Sequence, residues 1–551
     1  MAQYKGTGAQ ILVRSLAQHG VQRIASVAGE SYLAVLDALL DHPDIQVITC
    51  RQEGGASFMA ESWGKLSGQP GICFVTRGPG ACNASIGVHT AMQDSTPMIL
   101  FMGQVRRCEH GREAFQEINV PEVFGGLAKW ATEIDDPRRI PEVIYRAFKT
   151  ATSGRPGPVV IGLPEDMLRE EANVIEAPPY QMITPHAGQQ DLKAIESLLQ
   201  KAQKPLALIG GPGWNDEGCE NFMSFASACH LPVITSFRRQ DLFNHRNNCY
   251  VGELGTGPNP KLLEKVKEAD LLLVVNARLD EIATQGYTLI DAPLPQQTLI
   301  HIHMAASEIG KVYIPELAIE SDPNHIAADL AGNGLKIDGR RWDGWRDELR
   351  AQYMDWTAIG PEKLHKWDGA DMTAIFAFLR DQLPDDAIIT TDAGNFSGWA
   401  QRYLQYGRPG RLLAPISGAM GYAVPSVLGA SLAAPDQLAL GLCGDGGFMM
   451  TGQEIATAMH HGAKPIIIVC NNGIYGTIRM HQERAYPGRH SATSLTNPDF
   501  AALAQSYGAF GAVVNSADEF PAVWEQARTA GKAALIEIRM DPRQITTNAK
   551  V

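Results

Sequence analysis

Asp445 stands between glycines in the stretch GLCGDGGFMM, and residues 447–470, 24 in all, separate that triplet from Asn471-Asn472 at the end of the apolar run KPIIIVCNN. A carboxylate and an amide oxygen are hard ligands suited to Mg2+ or Ca2+. Gly444, Gly446 and Gly447 let the backbone approach a bound phosphate. A lone GDG is as often a plain turn, whereas an acid and an amide on two strand ends at this spacing are more specific. The pair predicts a metal clamp for a phosphorylated ligand, with a flexible Gly-Gly turn between strand and helix. Glu53, in ITCRQEGGASFMAESWG, stands just beyond a strand and at the start of a helix. An acid is favoured there by the helix dipole alone, so by itself it says little.

These residues need strands and helices to place them. Short apolar runs alternate with helix-period segments along the whole chain, which predicts α/β architecture with three doubly wound parallel sheets. The first block carries RIASVAG, IQVITC, PGICFVT, MILFMGQ and PVVIGLP. A polar, proline-bearing stretch from about 168 to 189 reads as a linker. The second block has KPLALIGGPG, LPVITSF, DLLLVVNARLD and TLIHIHM, and DGRRWDGWRDELRAQYMDWT reads as a charged helix bridging to the third. The expected divisions are 1–168, 189–335 and 368–541, with a tail at 542–551. The first and third blocks share a strand-and-glycine rhythm. In open parallel sheets ligands gather at the carboxyl ends of the strands, where LALGLCGDGGF and KPIIIVCNNG finish.

At 551 residues the chain accommodates three domains of ordinary size. Its formal charge of −13 argues against nucleic acid or an anionic membrane as the main partner. Nine scattered cysteines form no CxxC pair, and read as free thiols. No signal-peptide core or membrane-length apolar run is present, so a cytoplasmic protein is expected.

The GDG–NN spacing resembles the signature of the thiamine-diphosphate-dependent enzymes. Together with Glu53, FVTRGPG, GQVRR, AFQE and SGRPGPVVIGLP, the pattern is similar to the acetohydroxyacid (acetolactate) synthase and pyruvate oxidase group. The resemblance implies pyrimidine-binding, central and diphosphate-binding domains, and a homodimer or homotetramer with interfacial sites. It implies thiamine diphosphate, with Mg2+ on Asp445, Asn472 and a backbone oxygen at Ile474. Glu53 would share a proton with the cofactor's pyrimidine. Gly418 would accept from the 4'-amino group and Met420 would wedge between the two rings. Gly394, Asn395, Gly444, Gly446, Gly447, Tyr475 and Pro79 would also contact the cofactor. Phe396 stands where many such synthases have a histidine.

Simple decarboxylases of this family carry a His-His pair and a glutamate six residues past the metal asparagine; this chain has Phe115-Gln116 and Ile478. The missing proton donors point to carboligation, with pyruvate as donor and a second carbonyl as acceptor. Gly29, in AGES, departs from the synthase entrance Pro-Gly-Gly-Ala. Arg106 and His481 replace a proline and a tryptophan of the synthase channel. Arg278, in NARLDE, resembles the synthase arginine near the acceptor. A 2-hydroxyacyl-CoA or oxalyl-CoA lyase, or a simple decarboxylase, is the alternative. A nicotinamide enzyme could be argued from GGPGWN, which lacks the full glycine fingerprint. FAD, ADP or nothing in the central domain is left open.

Overall fold

A computed structural model describes residues 3–332 and 334–547. Its apolar runs form three six-stranded sheets in which every neighbouring pair is parallel. The first sheet holds β1 (Arg23–Ser26), β2 (Gln46–Thr49), β3 (Gly71–Thr76), β4 (Met98–Gln104), β5 (Trp130–Glu133) and β6 (Pro158–Pro164), in the order 2-1-3-4-6-5. The second holds β7 (Pro205–Ile209), β8 (Val233–Thr235), β9 (Tyr250–Glu253), β10 (Leu271–Val275), β11 (Thr298–His303) and β12 (Leu317–Glu320), in the order 9-8-7-10-11-12. The third holds β13 (Ile388–Thr391), β14 (Leu412–Leu413), β15 (Ala439–Gly444), β16 (Ile466–Asn471), β17 (Phe510–Val514) and β18 (Ala534–Arg539), in the order 14-13-15-16-18-17. The first and third sheets therefore share one winding, the structural content of their common rhythm. The central sheet has the strand order of dinucleotide-binding folds.

Because side chains alternate along a strand, each sheet feeds two cores. In β4, Met98, Leu100 and Met102 face one and Ile99 and Phe101 the other, so the strand reads as an unbroken apolar run. One core is common to the first and third sheets, and two helices meet in it. The helix Glu53–Ser67 starts on Gln52, whose side chain accepts from Gly55 N, and stops at left-handed Gly68. The indole of its Trp63 donates to the Gly429 carbonyl of the helix Ala423–Ala433 at 2.9 Å. A Cβ on Gly429 would lie 2.7 Å from Ser62 Oγ, so glycine permits this approach.

Several expectations need correction. The stretch 168–189 is not all linker: Glu171–Ile175 pairs antiparallel with Gln3–Thr7. The charged helix, Asp343–Thr357, does reach the third domain, where Arg402 donates to the Trp356 carbonyl at 2.8 Å, but it is also packed on the second. Trp345, Leu349 and Tyr353 bury one face of it against the central domain. The edge strands β5, β9 and β12 escape the sequence reading because they are short, with β5 half-buried throughout and β12 mixed in burial. No Gly-Gly turn follows β15, because the next helix begins at Asp445 itself and includes both glycines. Among the described residues no helix is long and apolar enough to cross a membrane.

Candidate functional site

The carboxyl ends of β13, β15 and β16 open onto a cleft of about 250 Å³. Gly394 and Asn395 after β13, Gly444, Asp445, Gly446 and Gly447 after β15, and Asn472, Ile474, Tyr475 and Ile478 after β16 all line it, with Gly418 and Met420. This is the switch point of the sheet, where β13 and β15 send their connections to opposite faces. The glycines are there for close packing: a Cβ on Gly447 would lie 2.1 Å from an oxygen of Asp392, and one on Gly446 2.5 Å from the Tyr475 ring. Phe396 also lines the cleft, its ring crowding the Cβ positions of Gly394 and Gly444.

Asp445 is buried, and desolvation raises its carboxyl above the ordinary range, against the pull of hydrogen bonds from Asn497 and the backbone. Asn497 Nδ2 reaches Asp445 Oδ2 at 2.7 Å, and Gly473 N reaches the same oxygen at 2.9 Å. Neither bond uses Oδ1. Asn472 Oδ1 accepts from Ile474 N at 3.1 Å, which turns the chain at that point. Among the described residues, no lysine, arginine or histidine lines the cleft. From those residues, a diphosphate would find its countercharge in a cation held by Asp445, the Asn472 amide and a loop carbonyl, all hard oxygen donors. The donor set fits Mg2+ and the diphosphate of thiamine.

The loop bearing Gly418 and Met420 is anchored from all three sheets' domains. Asp392 accepts from Gly421 N at 3.0 Å and Ala423 N at 2.6 Å. Buried Arg238 donates to the carbonyls of Pro415 and Asp392. Asp94 accepts from Ser417 N at 3.2 Å, and the Tyr422 hydroxyl donates to Glu61. Burial pushes the Asp392 carboxyl up to about 6, against the pull of the backbone N–H groups. A carboxyl raised in the folded state makes stability fall as pH rises from about 4 to about 6. Asp392→Asn is expected to flatten that slope in denaturant titrations, and to destabilise by about 1–3 kcal/mol because the amide meets one N–H with its own NH2. An unchanged slope would contradict this origin of the shift.

Glu53 is not part of this cleft. It opens its helix half-buried, and Asn83 Nδ2 donates to Glu53 Oε2 at 2.9 Å. Pro79 lies in the first turn of the helix Arg77–Asp94, where a Cβ on Gly80 would lie 3.5 Å from Glu53 Oε1. Gln116 has a left-handed backbone, φ +67°, and its carbonyl accepts from Gly78 N at 2.9 Å. Gly29 packs on Thr76. These residues form a second group beyond β1, β2 and β3. Glu454 links the two groups' supports, accepting from Arg51 N and Gln52 N at 3.0 Å each. Phe115 is 73% exposed and Ile478 53% exposed, and Arg106 and His481 are exposed as well. Arg278 lies in neither group: it donates to the Gln93 carbonyl at 2.8 Å and lines a separate pocket of about 530 Å³. Sequence reading passes over Asn83, Asp392 and Asn497, and over Thr477, which lines the cleft and donates from Oγ1 to Asn395 Oδ1 at 3.0 Å. Of these, only Asp392 carries a local signal, as the acid that ends β13.

Gln544 and Ile545, from the expected tail, complete the wall of the cleft; residues 548–551 of that tail lie outside the described residues. Among the described residues no three His, Cys, Asp or Glu side chains gather as a metal cluster, so the mixed carboxylate–amide site remains the metal candidate.

Three family models match in order. Residues 6–123 match the thiamine pyrophosphate enzyme N-terminal TPP binding domain, 192–330 the central domain and 392–538 the C-terminal TPP binding domain. The chain is 31% identical over 518 residues to the acetolactate synthase large subunit of Parasynechococcus marenigrum (strain WH8102), covering 92% of this chain and 83% of that one. It is 30% identical over 541 residues to the acetolactate synthase large subunit of Corynebacterium glutamicum, covering 95% and 84%. It is 28% identical over 539 residues to the acetolactate synthase isozyme 2 large subunit of Escherichia coli (strain K12), covering 97% and 95%.

Proposed function

The chain belongs to the thiamine pyrophosphate enzymes, and from that membership we propose that it decarboxylates a 2-keto acid and joins the retained fragment to a second carbonyl, as acetolactate synthases do. The cleft that places Asp445, Asn472, Gly418 and Met420 together carries this reading. Bound thiamine diphosphate supplies the electron sink for decarboxylation. Asp445, Asn472 and the Ile474 carbonyl hold Mg2+. Gly394, Asn395, Gly444, Gly446, Gly447 and Tyr475 receive the diphosphate end, and Gly418, Met420 and Pro79 the rings. Glu53 holds a proton against the pyrimidine. The same reading divides the chain at 1–168, 189–335 and 368–541.

Glu53 acts on the cleft of a second copy, so a homodimer is the least complete unit and a homotetramer is consistent with it. Two features support this: Glu53 and Gln116 are absent from the cleft's lining, and exposed apolar side chains stand beside both groups. Leu33 follows Gly29, Ile86 follows Glu53's partner Asn83, and Met449 and Met450 follow the GDG triplet. Free cysteines throughout suit a reducing, cytoplasmic setting. The central sheet's order, and pockets of about 680 and 530 Å³ at its strand ends, suit a group the size of ADP or FAD.

The donor is pyruvate. None of Phe115, Gln116 and Ile478 is an acid that could protonate a decarboxylated fragment, which would leave that fragment free for a second carbonyl. Gly29, Arg106 and His481 shape the acceptor side, and Arg278 reaches it only through the central domain's pocket. The relatives described above are acetolactate synthases, which favours this reading over an acyl-CoA lyase. Incubation with pyruvate, then with added aldehydes or 2-keto acids, should yield an acetohydroxy acid or a 2-hydroxy ketone. Stoichiometric acetaldehyde, undiminished by any acceptor, would make the protein a plain decarboxylase. Cleavage of an acyl-CoA with inertness to pyruvate would make it a lyase.

A further inference from the structure

The Asp445–Asn472 site is held together by a segment more than twenty residues beyond it. Thr493 to Asn497 runs alongside the loop Gly473–Tyr475 and closes two backbone hydrogen bonds onto it. Tyr475 N donates to Thr493 O at 2.8 Å, and Leu495 N donates to Gly473 O at 2.8 Å, with Ile474 bridging Ser494 between them. These bonds fix the loop whose carbonyl at Ile474 would be a ligand. At the end of the segment, Asn497 Nδ2 donates to Asp445 Oδ2 at 2.7 Å and to Asn471 Oδ1 at 2.9 Å. An amide nitrogen has two protons, and both are committed here. Asn471 in turn donates from Nδ2 to Glu537 Oε1 at 2.9 Å, and Glu537 Oε2 accepts from Phe500 N at 3.2 Å.

One carboxylate oxygen of Asp445 is thus tied down by Asn497 and Gly473, which fixes how the other is presented. The two strand ends are tied to each other through the same nitrogen. We propose that Asn497 is the positioning residue of the cation site: it joins the ends of β15 and β16 and orients the Asp445 carboxylate for a divalent cation. It is not among the residues lining the cleft and acts through Asp445 and Asn471. The proposal rests on the thiamine-diphosphate reading above. Outer partners that orient metal ligands commonly alter metal affinity 10- to 100-fold when removed. A cation site without Asn497 keeps its ligands but loses their fixed geometry, so its defect is one of affinity that more metal overcomes.

The test is a Mn2+ titration of full-length protein in the presence of thiamine diphosphate, following free Mn2+ by its electron paramagnetic resonance signal. Asn497→Leu keeps the size and removes both donors, and should weaken Mn2+ binding about 10- to 100-fold. Asn497→Ser has one hydroxyl proton to give and should fall between Leu and wild type. For both variants the metal-free melting temperature should change little, and saturating Mn2+ should restore cofactor retention. Binding curves for both variants that match wild type would overturn the proposal. So would a loss of stability in the metal-free protein that added metal does not relieve, since that is the mark of a purely structural residue. Failure of the wild-type protein to bind Mn2+ with thiamine diphosphate would instead overturn the reading on which the proposal stands.

Discussion

Glu53→Gln should leave thiamine diphosphate bound and lower turnover by about 100- to 10,000-fold. The substitution preserves shape: Gln52 still caps the helix Glu53–Ser67, and the glutamine carbonyl still accepts from Asn83. It removes only the ability to take and return a proton. Glu454 keeps the start of that helix in place through Arg51 N and Gln52 N, so no rearrangement is expected. The direct readout is exchange of the cofactor's reactive carbon-bound proton, followed by proton NMR on protein loaded to equal stoichiometry. Equal exchange rates in variant and wild type would remove Glu53 from the mechanism.

Asp445→Ala should abolish retention of the cofactor, with affinity reduced at least about 100-fold, beyond what loss of an outer partner causes. Among the described residues the cleft offers no lysine, arginine or histidine to a diphosphate, so a bound cation would be its countercharge, with Asp445 as that cation's one anionic side chain among the lining residues. A unit charge pair at 4 Å is worth about 4 kcal/mol at the effective dielectric near a protein surface. Losing the carboxylate therefore costs more than any single hydrogen bond to the phosphates returns. Chelator treatment of wild-type protein should give the same result on gel filtration. A variant that emerges with its cofactor after dialysis against chelator would refute the metal assignment.

How much of this was legible before the structure depended on distance along the chain. β15 stops just before Asp445 and β16 on Asn471, as their spacing and apolar runs indicate, because adjacent parallel strands joined by a short helical crossover leave few other arrangements. The three-sheet architecture followed from the same alternation. The short edge strands did not: Trp130–Glu133 is half-buried throughout, so its pattern carries no period. The Gly446-Gly447 pair reads as a turn, yet it sits inside a helix because Tyr475 and Asp392 fill the space its side chains would occupy. Asn497 is 52 residues from Asp445. In TSLTNPDF it looks like any loop asparagine, and only the register of Thr493–Leu495 against Gly473–Tyr475 brings it to the site. Arg238 was invisible for the same reason: its bonds cross from the central domain into the loop before Gly418.

In the proposed enzyme one catalytic site takes the Glu53 group of one chain and the Asp445 cleft of another. Co-expression of Glu53→Gln and Asp445→Ala chains bearing different tags tests it most directly, with each variant alone near zero activity. In a two-fold dimer the mixed species holds one site with both substitutions and one with neither, so a statistical mixture should recover about a quarter of wild-type carboligation, and the doubly tagged species about half. Mixed protein that contains both chains, binds cofactor and remains as inactive as its parents would contradict the claim.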